Sequence, residues 1–303
     1  MPKPVRARSI DGILDDVFRQ YRDYFAPLLL ISLIFMAPIA IMNAVAGTLV
    51  PTINYQLLFH GQAGMSALLR QLQQPQSLGA RTAFAVVETL IALVSMNIVS
   101  PLLQGTYYAL GADTVAYGSV KSSIWTYFRQ AVKRWGAYVA TTWLFVGLIA
   151  AVVVVLGVVF GAVLIGGGTK SGGFVAVLVL VYLALVIVGI WLNIRLLFTF
   201  PAVVVERLKN WRAVRRSWTL TKRSFWRLFF ITLVASIVLG LASGGLSFLI
   251  ELLPNNALRM LFTGLIGILL APLYALLLAN LYIDMRIRRE GYDIELMTEK
   301  VEP

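Results

Sequence analysis

Residues 207–251 read RLKNWRAVRRSWTLTKRSFWRLFFITLVASIVLGLASGGLSFLIE, and two stretches of opposite character meet near Phe225. In the first, Leu208, Trp211, Val214 and Trp218 recur at helical spacing among Arg207, Lys209, Arg212, Arg215, Arg216, Lys222 and Arg223. The second, 226–252, is an apolar run. It is long enough to cross a hydrocarbon core about 30 Å thick, which takes about 20 helical residues. A basic amphipathic helix therefore leads into a membrane span.

Outward from this stretch, similar apolar segments lie at 24–49, 82–110, 136–165, 174–200 and 259–283. The expected fold is all-α, a polytopic membrane protein with six transmembrane helices. Lys and Arg number 21 on the N-terminal stretch, loops 111–135 and 201–228 and the tail after 283, against 4 on the intervening loops, with Arg195 inside a span. Positive charge marks the cytoplasmic side, so both termini are expected there. The net charge of +12 is accordingly read as topology and not as a nucleic-acid surface.

Charged residues make up 13% of the chain against 59% hydrophobic, about half the charged share of a soluble protein. The longest polar piece, 50–81, is shorter than a piece that usually folds unaided, although a short interfacial helix over Met65 to Leu72 is expected in it. Residues 1–303 are read as a single integral membrane domain. The first apolar run is expected to be retained. Asp11, Asp15, Asp16 and Asp23 precede it, and it outruns a signal peptide's h-region despite the small residues Ala44 to Gly47.

The chain reads as one unit used three times, at about 9–110, 111–204 and 205–290, with a cytoplasmic tail at 285–303. Each unit is an amphipathic helix followed by a hairpin of two spans. Ile10, Ile13, Leu14, Val17, Phe18 and Tyr21 form the first stripe, with Ser9 as N-cap; Ile124, Phe128, Ala131 and Trp135 form the second. The returning spans carry Pro101, Pro201 and Pro272. Repeats of this kind surround a central site in transporters and also occur in inert bundles. The amphipathic helices are expected along the inner membrane surface. There Arg129, Lys133, Arg134, Arg212, Arg215, Arg216, Lys222 and Arg223 would dock anionic membrane lipid or an acidic cytoplasmic or membrane protein partner.

Polar groups inside a bilayer each need an account. Asn97 and Gln104 on the second span, Asn193 and Arg195 on the fourth, and Asn280 and Asp284 on the sixth all fall in the inner half. They are expected to form a polar cluster, with Asp284 the candidate partner of Arg195 unless that side chain snorkels to the phosphates. Its role is helix packing, at about 0.6–2 kcal/mol per hydrogen bond, or a site for an anionic headgroup. Glu88 is the one carboxylate well inside a span, a weak signal for ion-coupled transport. Gly157 with Gly161, and Gly240 with Gly244, are read as close-approach pairs within the monomer or between copies in an oligomer.

Catalytic patterns are missing. His60 is the sole histidine, there is no Cys, and no HExxH, P-loop or GxGxxG is present. Ser243 and Ser247 flank glycines in the manner of a serine-nucleophile motif, but no span supplies a histidine base. No metal, no cofactor and no enzymatic activity are expected.

Two stretches resemble a known family. Arg216-Ser217-Trp218-Thr219-Leu220-Thr221-Lys222-Arg223-Ser224-Phe225-Trp226-Arg227 and Leu281-Tyr282-Ile283-Asp284-Met285-Arg286-Ile287-Arg288-Arg289-Glu290-Gly291-Tyr292-Asp293-Ile294-Glu295 are similar to segments of bacterial six-span proteins related to the membrane domain of glycerophosphoryl diester phosphodiesterases. The resemblance implies the fold and a bacterial inner membrane. In the phosphodiesterases this domain accompanies a separate catalytic domain, so the resemblance does not extend to phosphodiesterase activity here. Gly291 is read as a helix C-cap closing a charged clasp at the inner surface. The expected function is a non-enzymatic scaffold or accessory subunit that docks anionic lipid or a cytoplasmic partner. The alternative is a transporter or flippase for a lipid-like or amphiphilic anion, with the polar cluster as its site.

Overall fold

The computed structural model describes residues 9–48, 66, 75–120, 122–166, 172–251, 253 and 255–301. The helix expected over Met65 to Leu72 lies outside them but for Ser66. All regular elements among the described residues are helical.

Helix α1, Ile10–Asp23, starts after Ser9 as the periodicity predicts, although the Ser9 side chain caps no backbone N–H. After a one-residue turn at Tyr24 the chain enters α2, Phe25–Gly47. Helices α3, Pro75–Val94, and α4, Ser100–Tyr117, are joined end to end by a five-residue π-helical segment, Ser95–Val99. Pro101 has no N–H to give the carbonyl of Asn97, four residues back. The indole of Trp135 donates to that carbonyl instead, at 2.7 Å, and the indole of Trp143 donates to the Asn97 side-chain oxygen at 2.7 Å.

Next come α5, Ile124–Lys133; α6, Trp135–Gly166; and α7, Gly172–Leu196. A turn at Leu197 and Phe198 leads to short α8, Thr199–Val205, where Pro201 sits in the first turn and needs no N–H partner. Helices α9, Trp211–Thr221; α10, Phe225–Glu251; α11, Asn256–Glu290; and α12, Tyr292–Val301, complete the order. The side chain of Asn255 caps α11 by accepting from the Ala257 N–H at 2.8 Å. Gly291 ends it in the left-handed conformation expected of a C-cap, with φ of 65°.

Six spans were expected. Among the described residues five helical runs are long and apolar enough to cross a membrane: Phe25–Gly47, Thr82–Tyr117, Tyr182–Val205, Phe225–Glu251 and Asn256–Glu290. A shorter apolar run, Trp135–Ala151, belongs to α6.

Helix α11 is the axis of the bundle, packed along α2, α4 and α1. Small residues permit this approach. A Cβ added to Gly264 would collide with that of Ala40, one on Gly111 would lie 2.8 Å from the Ala279 Cβ, and one on Gly47 would lie 2.7 Å from the Met260 sulfur. The glycine pairs picked out by spacing behave otherwise: among the described residues, a Cβ on Gly157, Gly161, Gly240 or Gly244 meets nothing within 4 Å. No described neighbour inside the monomer therefore packs on them. They line outward faces of α6 and α10.

The three amphipathic helices each bury one side. Helix α1 buries Ile13 and Val17, and α5 buries Tyr127 and Ala131. Helix α9 departs from the expected stripe. It buries Ala213, Val214, Ser217 and Leu220, while Trp211 and Trp218 stay exposed. The small side chains let α9 settle against α7 and α8, and the two indoles are left facing out.

Candidate functional site

The two stretches that carry the family resemblance, far apart in sequence, meet in space. Arg216 on α9 donates to Glu206 through Nε at 3.0 Å and Nη2 at 2.7 Å, and also pairs with Glu290 at the end of α11. The Tyr282 hydroxyl donates to Glu206 as well. Arg286 stands 3.4 Å from both Glu206 and Glu290, and its guanidinium lies 3.7 Å from the centre of the Tyr292 ring. Burial opposes the charge on Arg216, but the carboxylates of Glu290 and Glu206 outweigh it, so its pKa is raised. One turn away, Asp284 takes Arg227 and Arg288, each at 3.0 Å. These contacts join α9, α10, α11 and α12 into an ionic clasp.

Ser217, the neighbour of Arg216, is fully buried and serves the break between α7 and α8. Its hydroxyl accepts from the Phe198 N–H at 3.0 Å and donates to the Arg195 carbonyl at 2.8 Å. Those backbone groups lose helical partners where the chain turns, so Ser217 satisfies both.

The six residues of the expected polar cluster occupy separate settings. Asn97 belongs to the π-helical segment and holds the two indoles. Gln104 donates to Ser100 Oγ at 2.8 Å and faces a cavity of about 290 Å³ that also touches Ser95, Tyr107 and Tyr274. Asn280 exchanges two hydrogen bonds with Gln20 of α1, at 2.9 and 3.2 Å. Asn193 is exposed. The guanidinium of Arg195 lies 5.6 Å from the Trp191 ring centre and 5.2 Å from that of Trp218, and its buried Nε and Nη1 have no hydrogen-bond partner among the described residues. Asp284, the candidate partner of Arg195, is held by Arg227 and Arg288 instead. The indole faces attract the Arg195 charge by cation–π contact.

Of the expected docking residues, Arg216 is committed to the clasp. Arg129, Lys133, Arg212, Arg215, Lys222 and Arg223 are exposed, and Arg134 is half-buried. Near the junction of α5 and α6 two adjoining cavities open, of about 300 and 360 Å³. Lys133 and Arg134 line both; Arg207 lines the first and Lys209 the second. Glu206, Tyr282, Arg286, Ser217 and Gln20 were missed as contributors by sequence reasoning. One signal existed: Glu206 is the sole carboxylate in the strongly basic loop 201–228.

Residues 173–286 match the family model described as the membrane domain of glycerophosphoryl diester phosphodiesterase. This chain is a multi-pass integral membrane protein, and residues 173–286 are similar to that domain. The match takes in α7 through nearly all of α11, and with them Glu206, Arg216, Asp284 and Arg286 of the clasp; α1 through α6 precede it. No curated protein and no solved structure matches the chain.

Proposed function

We propose that the protein is a non-enzymatic scaffold or accessory subunit of the bacterial cytoplasmic membrane, and that it holds anionic lipid against its basic helices. In this reading the molecule has six spans in three hairpins, α6 with its 32 residues being the sixth, and both termini are cytoplasmic. One observation carries the docking role. The clasp consumes Glu206, Asp284 and Glu290, while Arg212, Arg215, Lys222 and Arg223 stay exposed with no ion pair among the described residues. Such a surface beside a bilayer attracts anionic headgroups, each Lys or Arg contributing about 1 kcal/mol.

The full chain in nanodiscs that mix phosphatidylcholine with phosphatidylglycerol should retain phosphatidylglycerol in native mass spectra. The variant with Arg212, Arg215, Lys222 and Arg223 all replaced by Gln should lose that enrichment. Equal retention by the two would refute the docking role. The topology has its own check. Cysteines at positions 75 and 170 should label from outside, and cysteines at 120 and 210 should not. Outside labelling at 210 would overturn the six-span arrangement.

A further inference from the structure

We propose that the two adjoining cavities at the junction of α5 and α6 form one binding site for a ligand carrying two phosphate groups. The proposal deepens the anionic-lipid reading and rests on it for the orientation of the bundle.

The charge of the walls favours an anion. The walls bring Lys133, Arg134, Arg207 and Lys209 together, and no carboxylate among the described residues lines either cavity, Asp113 standing behind the wall as the acceptor of the Tyr127 hydroxyl at 2.6 Å. None of the four has an ion pair among the described residues. The contrast with Arg216, Arg227, Arg286 and Arg288, all paired in the clasp at the neighbouring helices, is sharp. Four like charges held close repel one another, and an anion seated among them reverses the sign of that energy.

The site is divided in two. Each cavity has three cations, and the ridge of Lys133 and Arg134 is common to both. That layout seats two anionic groups side by side, each with its own further cation, Arg207 for one and Lys209 for the other. Arginine's planar fork matches phosphate oxygens, and lysine adds a point charge. The volumes of about 300 and 360 Å³ place the pair in the range of small-ligand sites.

The walls are held in a costly backbone conformation. The loop between α8 and α9 puts Arg207 at φ 59° and Asn210 at φ 46°. This left-handed region is costly for an arginine. The Leu208 N–H bonds to the Ala202 carbonyl at 3.4 Å and folds the loop back on α8. The floor of small residues leaves room: a Cβ at Gly136 would meet nothing within 4 Å among the described residues. At Gly105 it would lie 2.6 Å from the ring of Tyr138, which the glycine allows to lie flat there.

The test uses the full chain in nanodiscs. In phosphatidylcholine discs, calorimetric titration should show inorganic pyrophosphate binding about tenfold or more tightly than orthophosphate. Arg134→Gln and Arg207→Asn should each weaken pyrophosphate about tenfold, the loss expected for a charge-assisted hydrogen bond. Asparagine tolerates the left-handed conformation, so Arg207→Asn should fold at least as well as the parent. In mixed discs, cardiolipin retained in preference to phosphatidylglycerol, and displaced by pyrophosphate, would identify the occupant as a lipid headgroup. Pyrophosphate binding without selection of cardiolipin would identify a soluble one.

Equal affinity for pyrophosphate and orthophosphate, or affinities that ignore both substitutions, would overturn the site. If these substitutions are silent while the fourfold α9 variant still loses phosphatidylglycerol, the site fails and the docking role stands. If the α9 variant is silent while Arg134→Gln and Arg207→Asn abolish binding, the site stands and the general docking role fails.

Discussion

Replacing Glu206 by Ala should cost about 3 kcal/mol of stability, and the clasp geometry says where that comes from. The carboxylate accepts two hydrogen bonds from Arg216 and one from Tyr282, with its side chain 18% exposed. Tyr282 is fully buried, so its hydroxyl would be left without an acceptor, at about 1–3 kcal/mol. Arg216 would keep Glu290, so the ion-pair share lies nearer the roughly 1 kcal/mol of an exposed pair than the 3–5 kcal/mol of a broken buried one. The sharper test is the order of substitutions. Tyr282→Phe in the parent removes a satisfied hydrogen bond and should cost about 1 kcal/mol. In the Glu206→Ala background it removes an orphan hydroxyl and should be neutral or stabilising. Equilibrium unfolding in mixed micelles, followed by tryptophan fluorescence, gives both values. If Tyr282→Phe costs the same in the two backgrounds, to within about 0.5 kcal/mol, the coupling between Glu206 and Tyr282 does not exist and the argument fails.

Ser217→Ala should lose about 1–2 kcal/mol in the same assay, because the Phe198 N–H and the Arg195 carbonyl are both left unpaired. Gly264→Leu should abolish the folded, monodisperse peak in size-exclusion chromatography, since the Ala40 Cβ, fixed to the backbone of α2, blocks the site, whereas Gly240→Leu should elute unchanged. Asn97→Ala should cost only about 0.6–1 kcal/mol by unfolding, because Trp143 loses its acceptor while Trp135 keeps the backbone carbonyl. The Ser9 hydroxyl bonds to the Asp11 carboxylate and, with backbone N–H groups, lowers its pKa. That contribution favours the α1 start above the ordinary carboxylate pKa and is lost as pH falls through the depressed value. Carbon NMR of Asp11 in Ser9→Ala should show its titration moved up.

Local patterns carried the helices. The start of α1 after Ser9 and the stop of α11 at Gly291 depend on neighbours a few residues away, so periodicity and cap chemistry suffice. The buried face of α9 was misread for a different reason. Spacing marks Trp211 and Trp218 as apolar, but beside a bilayer an apolar side chain has two places to go, and hydropathy does not distinguish core from lipid. The same ambiguity applies to Gly240 and Gly244, whose spacing marks a close approach within the monomer or between copies and meets no described side chain within it. The clasp was legible in part: the tail's charge was visible, but Arg216 and Glu290 lie 74 residues apart and only the bundle brings them together. Depth along a span suggested Asp284 for Arg195. Lateral position decided otherwise, giving the carboxylate to Arg227 and Arg288 and leaving Arg195 to the indoles.

Helix α11 runs 35 residues without interruption, which at 1.5 Å per residue is about 50 Å of rod. A hydrocarbon core takes up only about 30 Å of that. About 20 Å of the rod is left over for contacts outside the hydrocarbon, and its two ends are held by different forces: the Arg286 and Glu290 ion pairs at one, Met260 packed by Gly47 at the other. Salt weakens the first and leaves the second, so high ionic strength should loosen the shaft from its Glu290 end alone.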